Sequence, residues 1–177
     1  MRENMILKKG LIGLCCSVLL VVLDQLTKAA AVAHLKDQEP YVIWKGVFEL
    51  SYLENRGMAF GMFQNKQMVF IVLTVLVMIV LSYVYLMRIP AERRFFWLNL
   101  IAILFFAGAI GNLIDRVLQN YVVDFFYFVL IDFPIFNVAD IYVTVAAFLF
   151  LVLGLFYYKD ADYERLSRGG KDAHGNI

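Results

Sequence analysis

The chain has 177 residues, 62% of them hydrophobic, with a mean hydropathy of +0.73 and a net charge of +1. A soluble domain is about half apolar, so this composition excludes an ordinary one, and the near-neutral charge offers no bulk field for nucleic acid. The two cysteines, Cys15 and Cys16, are neighbours in an apolar run; a helix turns them about 100° apart, so they read as apolar fillers and not as a disulfide or metal pair.

Four segments approach the roughly 20 apolar residues that cross a bilayer. The first covers 11–33. Lys8 and Lys9 before it and "AAAVA" at its end resemble a cleaved secretory signal, but Asp24 and Lys28 interrupt the pattern and favour a retained span. Those two charges, in "DQLTK", have the i, i+4 spacing of an ion pair on one helix face. The plain alternative is a lysine reaching the headgroups, neutralised by its neighbour.

An outer loop follows at 34–67. In it "VFELSYLE" alternates, with Phe48, Leu50 and Tyr52 on one side, and predicts one or two short strands on the membrane surface. "ENRGMAFGMF" comes next: Asn55 offers an amide, and Gly57 and Gly61 permit a tight turn or close approach. Phe60 and Phe63 would anchor such a loop at the interface.

The second span, 68–87, carries no charge, and the third covers 95–114. The small residues Ala107, Gly108, Ala109 and Gly111 allow close helix packing there, with Asn112, Asp115 and Arg116 at the end. "YVVDFFYF" then sets Asp124 among apolar residues, and "FNVADIYV" brings Asn137 and Asp140 to the start of a fourth span, 141–158. A carboxylate at that start can meet free backbone amides. Residues 159–177 read as a flexible, solvated tail.

Lysine and arginine counts orient the chain, with ten on the side of both termini and five on the other. The expectation is an all-α membrane protein of four helices, N-in and C-in, with a β-containing loop domain outside between helices 1 and 2. Residues 1–158 form its single domain. Asp24 lies about 14 residues into the first span, roughly 21 Å along it. Asn55, Asn112, Asp115, Arg116, Asp124, Asn137 and Asp140 then all fall at the same outer boundary. Ionisable groups at membrane depth cost about 2.5–3.5 kcal/mol each, which makes them a functional-site hypothesis.

Two carboxylates about 4 Å apart repel by roughly 4 kcal/mol at an effective dielectric of 20. Their titrations then split by about three pKa units. One is ionised while the other holds a proton, so such a pair can activate water and protonate a carbonyl. Asp124 and Asp140 could form one, or could be ordinary polar ends of membrane segments. No G-x-S-x-G or HExxH motif is present, and the histidines, His34 and His174, are isolated. A metal site on Asp115, Asp124 and Asp140 would need tighter clustering.

Taken together, "DQLTK", "NRGMAFG", "GNLIDR", "VVDF" and "FNVAD" resemble, in order and spacing, the lipoprotein signal peptidase family, or signal peptidase II. The resemblance covers most of the chain; Phe126 and the "IYV" after Asp140 depart a little from the commonest family residues. It implies a four-span aspartic protease of the bacterial cytoplasmic membrane, with its site near the extracytoplasmic face. Such enzymes cut prolipoproteins before a diacylglyceryl-modified cysteine. It implies Asp124 and Asp140 as the catalytic dyad, supported by Asp24, Lys28, Asn55, Gly57, Asn112, Asp115, Arg116 and Asn137. It also implies no metal or cofactor, inhibition by globomycin-type peptides, contact with membrane lipids and action as a monomer. Phe125, Phe126, Met58, Phe60 and Met62 are expected to keep the site dry. The rival readings are a proton- or ion-coupled transporter, which would spread its charges through the membrane, and a non-catalytic scaffold subunit.

Overall fold

The computed structural model describes residues 2–57 and 67–169. Met58, Phe60, Gly61, Met62 and Phe63 lie outside the described residues. Among the described residues, four helices are long and apolar enough to cross a membrane. Helix α1 is Arg2–Leu35, α2 is Gln67–Tyr83, α3 is Phe96–Gln119 and α4 is Val138–Phe156. A π-turn at Val84–Arg88 extends α2, and a 3-10 turn at Arg93–Phe95 leads into α3. Their outer faces are apolar: Leu19, Leu76, Phe148 and Leu155 are all exposed. Such faces suit a bilayer, where lipid tails are as apolar as the side chains they meet.

Strands β1 (Tyr41–Trp44), β2 (Phe48–Asn55) and β3 (Val122–Tyr127) form an antiparallel sheet in the order β1-β2-β3. The third strand corrects the expected loop domain, because the connection between α3 and α4 also enters the sheet. Val122, Val123, Asp124 and Phe125 are all buried, so β3 lacks the alternation of a half-solvated strand. Val123 and Phe125 pack on Ala31 and Leu35, which seats the sheet on the end of α1. Phe125 therefore belongs to this core, while Phe126 meets the rings of Phe48 and Phe136. Asp124 pairs with Leu53 across the β2–β3 ladder, two positions from Asn55.

Helices α3 and α4 approach closely because Gly108 has no side chain. A Cβ there would lie 2.6 Å from the Ala139 carbonyl oxygen. Helix α3 runs beyond the predicted end of its span, to Gln119, and closes on Asn120 in the left-handed conformation at φ 63°. Asp115 and Arg116 thus sit on the helix and do not terminate it. Asn137 caps α4: its side chain accepts from Asp140 N, and the Asp140 side chain accepts from Asn137 N. Residues read as a solvated tail include a short helix, α5, Asp160–Ser167. Arg94 holds it through Asp162 at 2.6 Å.

Candidate active site

Asp24, Lys28 and Asp115 form a buried ionic triad between α1 and α3. The Lys28 ammonium lies 2.9 Å from Asp24 Oδ2 and 3.0 Å from Asp115 Oδ2, and it donates to Asn112 Oδ1 at 2.9 Å. Its three N–H donors are thereby all used. Asp24 Oδ1 accepts from the Ala139 amide at 2.9 Å, and Asp115 Oδ2 from the Val123 amide at 3.2 Å. The triad therefore ties α1 to α3, to β3 and to the first turn of α4.

Gln25 was not anticipated from sequence. Its Nε2 donates to Asp115 Oδ1 at 3.0 Å and lies 3.2 Å from both Asp24 Oδ2 and the Gly111 carbonyl. The signal available was its place inside "DQLTK", but a neutral amide in a membrane helix carries no mark of its partners. Gly111 also has a role beyond general packing, since a Cβ on it would fall 2.5 Å from Asp24 Oδ2.

Asparagine amides join this triad to the other two aspartates. Asn112 Nδ2 donates to Asp140 Oδ1 at 2.8 Å. Asn137 Nδ2 donates to Asp124 Oδ1 at 2.6 Å and to Asn112 Oδ1 at 3.1 Å. The backbone amide of the same Asn137 donates to Asp140 Oδ2 at 3.2 Å. One fully buried residue thus holds both carboxyl groups. From β2, Asn55 Nδ2 reaches Asp124 Oδ2 at 2.8 Å, and the Gly57 amide fixes Asn55 Oδ1 at 3.0 Å.

Asp124 is 1% exposed. Burial, reinforced by the charge of Asp140, pushes its carboxyl up to about 7, against the opposing effect of the amides of Asn55 and Asn137. Neighbouring Glu54 is held below the usual carboxylate range by Arg56 and Lys36. It fastens the end of β2 that carries Asn55. Arg116 touches neither Asp124 nor Asp140 among the contacts described. Its Nη1 lies 3.4 Å from the Asn112 carbonyl, and its guanidinium sits over the Phe70 ring at 5.3 Å. Among the described residues no group of three or more His, Cys, Asp and Glu side chains is arranged to hold a metal ion.

A family model described as signal peptidase (SPase) II matches residues 16–156. The chain belongs to the signal peptidase II family. Among curated members, the lipoprotein signal peptidase of Clostridium tetani is 42% identical over 150 residues, covering 83% of this chain and 92% of that one. The lipoprotein signal peptidase of Caldanaerobacter subterraneus is 46% identical over 137 residues, 77% of this chain and 90% of its own. Two solved structures of bacterial membrane enzymes share the fold. One has a TM-score of 0.71 at 30% identity, covering 81% of this chain and 87% of that one. The other has a TM-score of 0.72 at 29% identity, covering 84% and 94%. The signal peptidase II match includes every residue of the network from Asp24 to Asp140.

Proposed function

We propose that this signal peptidase II member removes signal peptides from prolipoproteins as an aspartic endopeptidase, with Asp124 and Asp140 as its dyad. One observation carries the assignment of the pair: Asn137 holds both carboxyl groups, by its side chain and by its own backbone amide. The transporter reading has no support in the family comparisons.

In this reading Asp140 is the ionised base. It sits at the N-terminus of α4, where the helix dipole and the Asn137 backbone amide favour the anion. Asp124, raised to about 7, holds the proton near neutral pH. Asp140 takes a proton from water as the water oxygen bonds to the scissile carbonyl carbon. Asp124 gives its proton to the carbonyl oxygen, forming a neutral gem-diol. Asp124 then takes back a proton from the gem-diol while Asp140 passes its proton to the departing amine. The C–N bond breaks, and the dyad returns to its starting state.

The substrate class follows from the family: a prolipoprotein whose cleavage site precedes a diacylglyceryl cysteine, with its signal helix and acyl chains in the bilayer. Ten basic residues on the side of the termini support an N-in, C-in orientation. That orientation puts the dyad near the extracytoplasmic face of the bacterial cytoplasmic membrane. Globomycin-type peptides would compete for the same site. Residues 1–158 act as one domain, and one chain contains the complete network, so the monomer suffices.

The experiment is cleavage of a lipid-modified prolipoprotein peptide by the purified full chain in EDTA. Asp124→Asn and Asp140→Asn should each lower kcat by about 10²–10⁴-fold, the range of general acid–base catalysis. Near-full cleavage by either properly inserted variant would remove that carboxylate from the mechanism. Loss of wild-type activity in EDTA would instead favour a metal.

A further inference from the structure

At the end of the helices far from Asp124, an ammonium is buried with no carboxylate paired to it among the described residues. Lys9 is 8% exposed. Its Nζ donates to the carbonyls of Tyr85 and Ile89, in and just after the π-turn, and lies 4.2 Å from the Tyr85 ring centre. None of the ion pairs formed by the described residues includes Lys9. Glu92, an acid lining the same groove, is bound by Arg165 at 2.5 and 3.0 Å. A buried cation without a counter-charge is costly, and three N–H donors on Nζ leave one beyond the two carbonyls.

Lys9 forms part of the wall of a groove of about 810 Å³ between α1 and α3. Lys8 and Arg93 stand at the same rim, and the turn that begins α3 adds the positive end of a helix dipole. Away from the rim the lining is mainly apolar, with Ile12, Cys16, Leu19, Phe96, Leu100 and Ile103 beside the single amide of Asn99. The volume is within the roughly 300–1,000 Å³ of small-molecule sites. A cationic rim that opens into an apolar channel matches a molecule with an anionic head and a hydrocarbon tail. Free phosphate would leave the channel unfilled.

We infer that this groove binds one anionic glycerophospholipid, its phosphate at Lys8, Lys9 and Arg93 and one acyl chain along α1 and α3. The site is separate from the Asp124–Asp140 network and does not depend on the assignment of that pair. Under the N-in orientation it faces the leaflet whose surface is rich in anionic lipid.

Native mass spectrometry of the full chain in neutral detergent tests this, with phosphatidylglycerol, phosphatidylcholine and inorganic phosphate as probes. Wild type should retain phosphatidylglycerol well above phosphatidylcholine. Lys8→Gln with Arg93→Gln should weaken that retention about 30-fold, from two cations at an anionic headgroup. Leu19 is 70% exposed, so Leu19→Trp obstructs the channel without touching the core. It should lower lipid retention while leaving the rim charges intact. Peptidase activity in detergent reports whether each variant is folded. Equal retention of the two lipids, undiminished retention by the folded double variant, or displacement of lipid by inorganic phosphate would each overturn the proposal.

Discussion

Replacing Lys28 by methionine tests the buried triad directly. Methionine keeps much of the length and apolar stem but removes the charge. Lys28 Nζ lies 2.9 and 3.0 Å from Asp24 and Asp115, whose side chains are 0% and 4% exposed. Both carboxylates would remain buried with no cation. Removing one partner of a buried ion pair costs about 3–5 kcal/mol. For a chain of this size each kcal/mol shifts Tm by about 2–4 °C, so a fall of about 6–20 °C is expected. The assay is thermal unfolding of purified protein in detergent, followed by tryptophan fluorescence from Trp44 and Trp97. Adding Asp24→Asn to Lys28→Met removes one orphaned charge and should recover a substantial part of the loss. A Lys28→Met variant melting within about 2 °C of wild type would refute the triad as a structural tie. So would a double variant less stable than Lys28→Met by the full cost of Asp24→Asn alone.

Gly111→Ala puts a Cβ 2.5 Å from Asp24 Oδ2; overpacking of this kind should cost about 1–3 kcal/mol, read as a lower Tm. Asn55→Ala removes the 2.8 Å donor to Asp124; a hydrogen bond to the neutral acid is worth about 0.5–1.5 kcal/mol, so kcat/KM should fall about 2–10-fold, with Tm lower by no more than about 6 °C. Because Asp124 is raised to about 7, the proposed acid loses its proton above that value, and kcat/KM should fall about tenfold per pH unit on the alkaline side. The folded-state value exceeds the unfolded one, so its contribution to stability is complete at low pH and is lost as pH rises through about 7. Tm should therefore decline from pH 5 to 8, and a flat profile in both measurements would contradict the buried, charge-coupled setting of Asp124.

The four membrane helices were legible because long apolar runs, even one broken by Asp24 and Lys28, have only one economical solution in lipid. The ends of those runs were harder to read. Asp115 looks like the border of a span in a single sequence, yet α3 continues through it to Gln119. Its charge is balanced from another helix by Lys28, and that partner is invisible in local spacing. Only the Asp24–Lys28 half of the triad has a helical period. Strand β3 was hidden for a related reason: buried along Val122–Phe125, it has no polar alternate positions to mark a strand. Helix α5 carries acids or bases at four of its eight positions, which reads as a solvated tail until Arg94 supplies a partner.

The network also explains why asparagines separate its charges. At 4 Å and an effective dielectric of 20, an ammonium acts on a carboxylate by about 4 kcal/mol, or about three pKa units. A lysine in direct contact with Asp124 or Asp140 would stabilise ionisation strongly enough to remove the proton the proposed dyad shares. Lys28 instead spends its contacts on Asp24, Asp115 and the oxygen of Asn112. Asn112 and Asn137 present neutral N–H groups to Asp140 and Asp124. The amides fix direction without supplying a full positive charge. The cation holds the amide from behind, orienting Asn112 so that its nitrogen can face only Asp140. On this logic the triad is scaffold and the asparagines are insulation, and both are required if two carboxyl groups are to be held in one place while differing in protonation.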